Sequence, residues 1–510
     1  MSTRSKYLST ISFVALLLIG LTNSCSTENA EINVFSEPIK IDTGYISGAV
    51  IGDVGKEVHI YRGIPYAAPP VGDLRWKPPQ PVESWTGIRE CTVFGNSSPQ
   101  IIDGIRYKGP LSEDCLYLNV LTPAKESSEN LPVMVWMHGG GYENGSGNDQ
   151  VNNLPRLPQN GVVLVTVNMR LGALGLLAHP LLSQESPKGI SGNYLFFDLI
   201  AALQWVQRNI AVFGGNPDNV TIFGASGGGM KVGFLLASPL AKGLFHKAIF
   251  QSGLPEPGKS LKELELLGEK LFAKLGVDKD PDPLKSARAL PWEVILEANE
   301  SLLKELNISD RLWWSDRLWW AAIDGLYLTY TPTNYSNFYE KGRFNYMPIM
   351  ACANLGELTE PEELAMPYLI WGSSCVLTNF EKAGQNGYAC IFDRVPSKWR
   401  EAGGVSWHSM ERPYVFGDWD NTSGFWPSLF YQAKEFGMTT PDTPDPGLTE
   451  IDKRVSENMM AIWAQFARTG NPSMDGLVNW PAYDSETDQY LYIGESLEIK
   501  TGFSKIAQED

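Results

Sequence analysis

The sequence predicts an α/β fold in which helices cover both faces of a mostly parallel β-sheet. Short apolar runs typical of buried strands alternate along the chain with longer helical stretches. No Gly/Ser-rich, Pro-rich or charged linker interrupts the sequence between residues 41 and 505, and no solenoid-type repeat occurs there. We therefore expect residues 41–505 to form a single domain whose length comes from insertions.

The predicted elements follow one another in a simple order. A run of alternating character at 45–61 predicts antiparallel edge strands, and a helix is expected at 198–209. The segment 261–306 is rich in Leu, Lys and Glu with helical periodicity, which predicts a helical cap within an insertion at about 255–320. The buried strands of the sheet are expected at 133–137, 162–167, 220–223 and 248–250.

Composition limits the classes of function. The 510 residues are 43% hydrophobic and 19% charged, so the chain can bury a large core and does not resemble a disordered protein. The net charge of −17 would repel a phosphate backbone, which argues against nucleic acid as a partner. The six Cys and five His are scattered singly, so we expect no metal site and no cofactor.

The N-terminus has the pattern of a targeting segment. Arg4 and Lys6 precede the apolar run Ile11–Leu21, which has the length of a secretory signal peptide and is short for a membrane span. Residues 1–24 are therefore predicted to be a signal peptide, followed by a tether at 25–40. The sequence before Cys25 is similar to a bacterial lipoprotein cleavage site, although Thr22 departs from it. Two alternatives stay open: a lipidated Cys25, giving a periplasmic or outer-membrane-anchored protein, or simple secretion.

A Gly-Ala-Ser-Gly-Gly-Gly motif at 224–229 directly follows a predicted buried strand. Small neighbours allow Ser226 to occupy a tight strand-to-helix turn with its hydroxyl exposed above the sheet. A second motif, His-Gly-Gly-Gly-Tyr at 138–142, follows another such strand. Backbone N–H groups of such a loop suit an oxyanion, so Ser226 is the candidate nucleophile. The candidate donors are the N–H groups of Gly140, Gly141 and Gly227.

These motifs resemble those of the type-B carboxylesterase family, the cholinesterase-like branch of the α/β-hydrolases, and the resemblance covers nearly the whole mature chain. It implies an α/β-hydrolase fold with helical cap insertions and hydrolysis of a small-molecule carboxylic ester. The further segments that carry it lie at 63–67, 69–72, 113–120, 168–172, 213–217, 251–253 and 466–472.

The general base is sought among the five histidines. His59, His138, His179 and His246 are each better explained as structural residues of strands or loops. His408 lies in Gly-Val-Ser-Trp-His-Ser-Met-Glu at 404–411, which resembles the family's segment around the catalytic His.

The carboxylate of the triad is expected after the strand at 347–353. The segment Leu-Gly-Glu at 355–357 resembles the family's segment that ends in the catalytic Glu, which implies Glu357. The chain order Ser226, Glu357, His408 is that of an α/β-hydrolase. The competitors are Asp324, interpreted as a turn residue, and Glu411, interpreted as a supporting or surface carboxylate.

Three departures from the family bear on cysteines and substrate. In many relatives, the cysteine at the position of Cys115 forms a disulfide with a cysteine where this sequence has Ser98. A shifted disulfide between Cys91 and Cys115 is therefore an open alternative. Cys352, Cys375 and Cys390 are expected to be buried thiols. The loop between residues 91 and 115 contains no Trp, and residue 225 is Ala where many relatives have Glu. Both changes argue against a quaternary-ammonium substrate.

Aromatic density suggests a bulky or aryl ester as the substrate. Tryptophans recur at 313, 314, 319 and 320, and Trp426, Phe430 and Tyr431 follow the His408 segment. Ordinary core packing explains any single one of them equally well. Two alternatives to ester hydrolysis stay open: a non-catalytic, neuroligin-like binding module, and an amidase or acyltransferase that uses the same triad.

Overall fold

The computed structural model describes residues 38–100, 110–254, 258–308, 318–328, 344–358, 367–435 and 437–506. The predicted signal peptide, Cys25 and most of the tether lie outside these residues, and strand β1 begins at Ile39. Within the described residues, no helix is long and apolar enough to cross a membrane.

An eleven-stranded sheet dominates the described part of the chain, with the strand order β16-β15-β14-β13-β10-β9-β7-β8-β6-β4-β3. The seven strands from β15 to β8 in this order run parallel. At one edge β16 pairs antiparallel with β15, and at the other β6, β4 and β3 each pair antiparallel with the preceding strand of the order. The strands are β3 (Ala49–Ile51), β4 (Val58–Pro65), β6 (Tyr117–Thr122), β7 (Leu131–Met137), β8 (Val163–Val167), β9 (Gly215–Ala225), β10 (Lys247–Gln251), β13 (Ile349–Asn354), β14 (Gly387–Phe392), β15 (Gln489–Ile493) and β16 (Leu497–Thr501).

Two smaller sheets accompany it. The first has the order β1-β2-β5, and β2 pairs in parallel with β5. Part of the region at 45–61, which was predicted to form edge strands, therefore lies outside the main sheet. Strands β3 and β4 are antiparallel edge strands of the main sheet, as expected. The strands of these sheets are β1 (Ile39–Ile41), β2 (Gly44–Ser47), β5 (Ile88–Glu90), β11 (Lys259–Ser260) and β12 (Ala322–Ile323).

Helices pack on both faces of the main sheet, which confirms the predicted fold class. Every residue of β8, β10, β13 and β14 is buried, because apolar side chains from both faces of these strands meet helices. One apolar core includes residues of α3, α4 and α8, and the other includes residues of α9, α10, α11 and α12. The helices are α1 (Gly172–Leu176), α2 (Pro180–Glu185), α3 (Tyr194–Asn209), α4 (Gly227–Ala237), α5 (Leu261–Leu275), α6 (Pro283–Ala289), α7 (Trp292–Glu305), α8 (Pro367–Lys382), α9 (Ser397–Glu401), α10 (Arg412–Phe416), α11 (Phe425–Glu435) and α12 (Glu450–Thr469).

The segment predicted to be a helical insertion contains α5, α6 and α7. A capping box at Ser260 begins α5, where the Ser260 hydroxyl accepts from the N–H of Glu263 and the Glu263 carboxylate accepts from the N–H of Ser260. Gly276, in the left-handed conformation, ends the helix. Leu264, Leu271 and other apolar residues face inward, while the Lys and Glu side chains lie at the solvated face.

The cysteine predictions need correction. Cys352 and Cys390 form a disulfide, so their assignment as thiols is wrong. They are register partners on the adjacent strands β13 and β14, with Cα atoms 4.5 Å apart, and this alignment places the two sulfur atoms side by side. Sequence separation alone does not reveal such a register.

The alternative of a Cys91–Cys115 bridge is also wrong, because both cysteines are free and buried. Cys91 is held to the neighbouring strands through its backbone, with its N–H donating to Ser47 and its carbonyl accepting from Arg62. The hydroxyl of Ser98, at the family's usual cysteine position, accepts from the N–H of Leu171 at 3.2 Å.

We expect the thiols to differ in reactivity toward Ellman's reagent (DTNB). Burial raises the pKa of Cys91 to about 11 and also raises that of Cys115, so neither supplies thiolate at neutral pH. Cys375 is only partly buried and should be the first of the three to react in the native protein. Cys91 and Cys115 should react only after unfolding, and Cys352 and Cys390 only after reduction. Fast native labelling of Cys91 or Cys115 would contradict the buried thiols.

Candidate active site

The candidate nucleophile lies at the junction of β9 and α4. Ser226 has φ 58° and ψ −128°, a strained backbone conformation for a residue with a side chain. Two hydrogen bonds hold it there: its N–H donates to the carbonyl of Gln251 over 2.8 Å, and its carbonyl accepts from the N–H of Met230 over 3.1 Å. Strand β10 and the first turn of α4 therefore maintain the sharp turn that the sequence motif predicts.

The glycine motifs pack backbone against backbone. A Cβ atom on Gly227 would lie 2.3 Å from the carbonyl oxygen and 2.4 Å from the nitrogen of Gly141. A Cβ atom on Gly228 would lie 2.0 Å from the carbonyl oxygen of Met137. Gly140 and Gly141 have φ of 83° and 62°, in the left-handed region that favours glycine. Gly141 and Gly227 are thus in direct contact beside Ser226, because glycine alone fits.

Side chains distant in sequence bind the backbone of the residues that directly follow the glycine motif at 138–142. The amide of Gln100 bonds the backbone of Gly145 twice, through its oxygen at 2.9 Å and its nitrogen at 3.2 Å. The side-chain oxygen of Asn168 accepts from the N–H of Gly147 at 2.7 Å. Sequence reasoning did not single out either residue, although Asn168 lies in one of the segments that resemble the family.

The candidate base and carboxylate are directly bonded. Nδ1 of His408 lies 2.5 Å from Oε1 of Glu357, and both side chains are buried. The second oxygen of Glu357 accepts from the N–H of Asn354 at 3.0 Å. Since a carboxylate accepts, Nδ1 carries the proton and Nε2 is left as the basic nitrogen. This is the orientation that a general base requires.

The competing carboxylates have other contacts. Glu411 is 2% exposed, so it is a supporting and not a surface residue. Its oxygens accept from Asn354 Nδ2 at 2.7 Å and Gln251 Nε2 at 3.2 Å, and burial raises its pKa. Asp324 accepts from three backbone N–H groups at 326–328, as a turn residue does.

The other histidines have structural contacts. The ring of His179 accepts from a backbone N–H at the start of α2, and burial lowers its pKa to about 4. His246 accepts from the N–H of Val220 at 3.1 Å. His138 Nδ1 lies 2.9 Å from the next carbonyl oxygen, and burial holds its pKa well below the usual value. Burial also lowers the pKa of His59. Burial lowers the pKa of His246 as well, so all four favour the neutral form.

A cavity of about 380 Å³ opens beside these residues, and both Ser226 and His408 line it. Gly139 and Gly140 line it too, so the candidate nucleophile, base and oxyanion loop face one space. Among the residues that the structure describes, its aromatic lining consists of Phe94, Trp136, Trp407 and Phe425. Polar lining residues include Arg412, Ser423, Ser428 and Gln432.

The aromatic residues singled out from the sequence are mostly elsewhere. Trp426 is buried and donates to the carbonyl of Asp418, Trp319 is buried and donates to Asn299, and Tyr431 is 48% exposed. Trp313 and Trp314 lie outside the described residues. Core packing thus explains Trp319 and Trp426, whereas Phe425, the sequence neighbour of Trp426, lines the cavity.

The described residues contain no group of three or more His, Cys, Asp or Glu side chains arranged to hold a metal ion.

Comparison with known proteins identifies the family. The sequence profile of the Carboxylesterase family matches residues 36–368 and 368–507. The chain belongs to this family. Para-nitrobenzyl esterase of Bacillus subtilis (strain 168) is 34% identical over 496 residues, covering 89% of this chain and 94% of that protein. Mouse carboxylesterase 1C is 32% identical over 525 residues, covering 90% of this chain and 89% of that protein.

Two further matches complete the comparison. Fumonisin B1 esterase of Sphingopyxis macrogoltabida is 48% identical over 240 residues, which is 46% of this chain and 44% of that protein. A solved structure of PNB esterase superposes with a TM-score of 0.74 at 28% identity, covering 91% of this chain and 97% of that one. The carboxylesterase therefore has the α/β-hydrolase fold and hydrolyses small-molecule carboxylic esters.

Proposed function

We propose that this carboxylesterase works through a Ser226, His408, Glu357 triad and an acyl-enzyme intermediate. The hydrogen bond between His408 and Glu357, at a cavity that Ser226 also lines, carries the proposal. Each group sits beyond the carboxyl end of a strand of the parallel sheet, where ligands of open α/β sheets bind.

In the first half of the reaction, Nε2 of His408 takes the proton of the Ser226 hydroxyl as its oxygen attacks the ester carbonyl carbon. Glu357 stabilises the imidazolium that forms. The carbonyl oxygen becomes an oxyanion, which accepts from the N–H groups of Gly140, Gly141 and Gly227. His408 then returns the proton to the leaving alkoxide, and the C–O bond to the alcohol breaks.

In the second half, water replaces the alcohol. His408 takes a proton from the water, whose oxygen attacks the acyl carbon of the Ser226 ester. The oxyanion forms in the same place as before. When this tetrahedral intermediate collapses, the bond between the acyl carbon and the Ser226 oxygen breaks, His408 protonates that oxygen, and the carboxylic acid is released. The enzyme returns to its starting state.

A fluorophosphonate probe tests the nucleophile. We expect stoichiometric labelling, with the modified peptide containing Ser226, because the probe needs a hydroxyl activated by a base. His408→Ala should slow labelling at least about 100-fold, since general-base assistance contributes that much. Ser428→Ala is the matched control, as Ser428 lines the same cavity on α11. Labelling of another serine, or labelling unaffected by His408→Ala, would contradict the assignment.

We also propose a bulky or aryl ester as substrate, supported by the cavity volume and by its four aromatic lining residues. Across p-nitrophenyl esters from acetate to hexanoate and benzoate, kcat/KM should rise with acyl size. A buried methylene contributes about 0.8 kcal/mol, so each step should add up to about fourfold until the pocket is filled. A maximum at acetate would contradict the bulky pocket.

We do not expect this esterase to prefer a quaternary-ammonium ester as its substrate. Ala225 lines the cavity without a charge, and the acidic lining residue Asp149 is paired with Arg412 at 2.5 Å. Butyrylcholine should therefore have no advantage over its uncharged isostere, 3,3-dimethylbutyl butyrate. A marked preference for the cationic ester would reject this part of the proposal.

An exported location is proposed from the targeting pattern at 1–24, with lipidation at Cys25 or simple secretion as the two routes. The Cys352–Cys390 disulfide supports it, because such bonds persist in oxidising compartments. Mass spectrometry of the mature N-terminus would separate the two routes.

A further inference from the structure

A charged side chain is buried in the helix that follows the nucleophile. Helix α4 is otherwise composed of Gly, Met, Val, Phe, Leu and Ala, yet its fifth residue is Lys231, whose exposed fraction is 0%. Withdrawing an ammonium group from water is strongly unfavourable unless hydrogen bonds compensate for the lost hydration. Its position therefore needs an explanation that core packing does not provide, since methionine or leucine would pack there without that cost.

The ammonium group holds the candidate oxyanion loop. Nζ of Lys231 donates to the backbone carbonyl of His138 at 2.9 Å, and His138 immediately precedes the three glycines at 139–141. A hydrogen bond from a charged donor is roughly twice as strong as one between neutral groups. The carbonyl that begins the loop is therefore held by a strong bond inside the core.

One face of α4 contacts both ends of this loop. Gly227 and Lys231 are four residues apart and lie on the same face of the helix. Gly227 contacts Gly141 at the far end of the loop, and Lys231 bonds His138 at the near end. Long helical side chains lean toward the N-terminus of their helix, here the end that carries Ser226.

We propose that Lys231 is a positioning residue that aligns the backbone N–H groups of Gly140 and Gly141 with the oxyanion formed on Ser226. The inference rests on the proposed function of this loop. The positive charge of Lys231 also makes the electrostatic potential at the oxyanion more favourable, because the low dielectric there strengthens electrostatic interactions. The side chain of His138 is buried and neutral, so it does not compete with Lys231 as a positive charge that attracts the oxyanion.

The test is Lys231→Met, which keeps the volume and removes both donor and charge. With p-nitrophenyl butyrate we expect kcat to fall about 10- to 100-fold while KM changes less than about threefold, because the loop acts on the transition state. A trifluoromethyl ketone, which forms a tetrahedral adduct with the serine, should bind more weakly by a similar factor. The matched methyl ketone should lose little affinity.

Lys247→Met is the matched control. Lys247 is also buried, bonds Asn219, and begins β10 at the end of the strand opposite the site. Its replacement should leave kcat within about twofold. Equal losses of activity in both variants, or a kcat for Lys231→Met within threefold of wild type, would overturn the proposal. If neither Lys231→Met nor Lys231→Gln folds, by circular dichroism and gel filtration, Lys231 is a structural residue and the proposal is wrong.

Ser226→Ala separates this inference from the proposed function. If Ser226→Ala is inactive while Lys231→Met behaves as wild type, only the role of Lys231 is rejected. If Ser226→Ala keeps its activity, the proposed function fails and the inference fails with it.

Discussion

Replacement of Ser226 with alanine is expected to lower kcat for p-nitrophenyl butyrate on the order of 10⁶-fold, because no covalent acyl-enzyme can then form. The cavity would still bind the ester, so KM should change little. The fold should persist, since only one oxygen is lost and the strained turn at φ 58° is held by the bonds to Gln251 and Met230. Stopped assays with purified protein, together with a thermal melt, measure both effects.

Ser428→Ala provides the comparison for that result. Ser428 faces the same cavity but lies on α11, away from the strand ends that hold the triad. We expect its kcat to stay within about threefold of wild type, a change typical of an altered cavity wall. Retention of more than one per cent of wild-type activity by Ser226→Ala would refute Ser226 as the nucleophile.

Removal of the Cys352–Cys390 disulfide is expected to lower the free energy of unfolding by about 3 to 4 kcal/mol. The bond joins residues 38 apart in sequence, so it restricts the unfolded chain considerably. In the folded state, the register of β13 and β14 holds the two residues together without it. The double variant Cys352→Ala/Cys390→Ala should therefore fold and lose stability, which urea unfolding followed by tryptophan fluorescence would measure.

Cys375→Ala is the control for this measurement. Cys375 is a free, partly buried thiol on α8, so its removal should cost less than about 1 kcal/mol. A reducing agent should destabilise the wild type and leave the double variant unchanged. If reduction shifted the midpoint of wild-type urea unfolding by no more than the Cys375→Ala substitution shifts it, the predicted stabilisation by the disulfide would be wrong.

The strand-to-helix turn at Ser226 could be predicted from sequence because its determinants are contiguous. The apolar run at 220–223 forms a buried strand in almost any α/β sheet, and the glycines around Ser226 allow the tight turn wherever it lies. The loop at 138–141 is equally local. The fold class followed from the alternation of such runs with helices, which depends on composition and period more than on contacts.

Pairings between distant segments were predicted less well. The sequence could rank Glu357 above Glu411, but only the tertiary structure shows that Glu357 bonds His408. Glu411 instead bonds Asn354 and Gln251. The catalytic roles themselves stay predictions for the experiments above. The aromatic residues failed as a guide to the cavity, because a helix turns neighbouring side chains in different directions: Phe425 faces the cavity and Trp426 the core.

The sequence by itself thus determined the α/β class, the turn that presents Ser226 and the glycine loop beside it, because short-range sterics and hydrophobic period act within a few residues. Tertiary structure alone decided that Cys352 pairs with Cys390, that Cys91 and Cys115 stay apart, and that the ammonium group of Lys231 reaches His138. Each of these contacts depends on strand register or on the seating of a helix, and the whole sheet sets both.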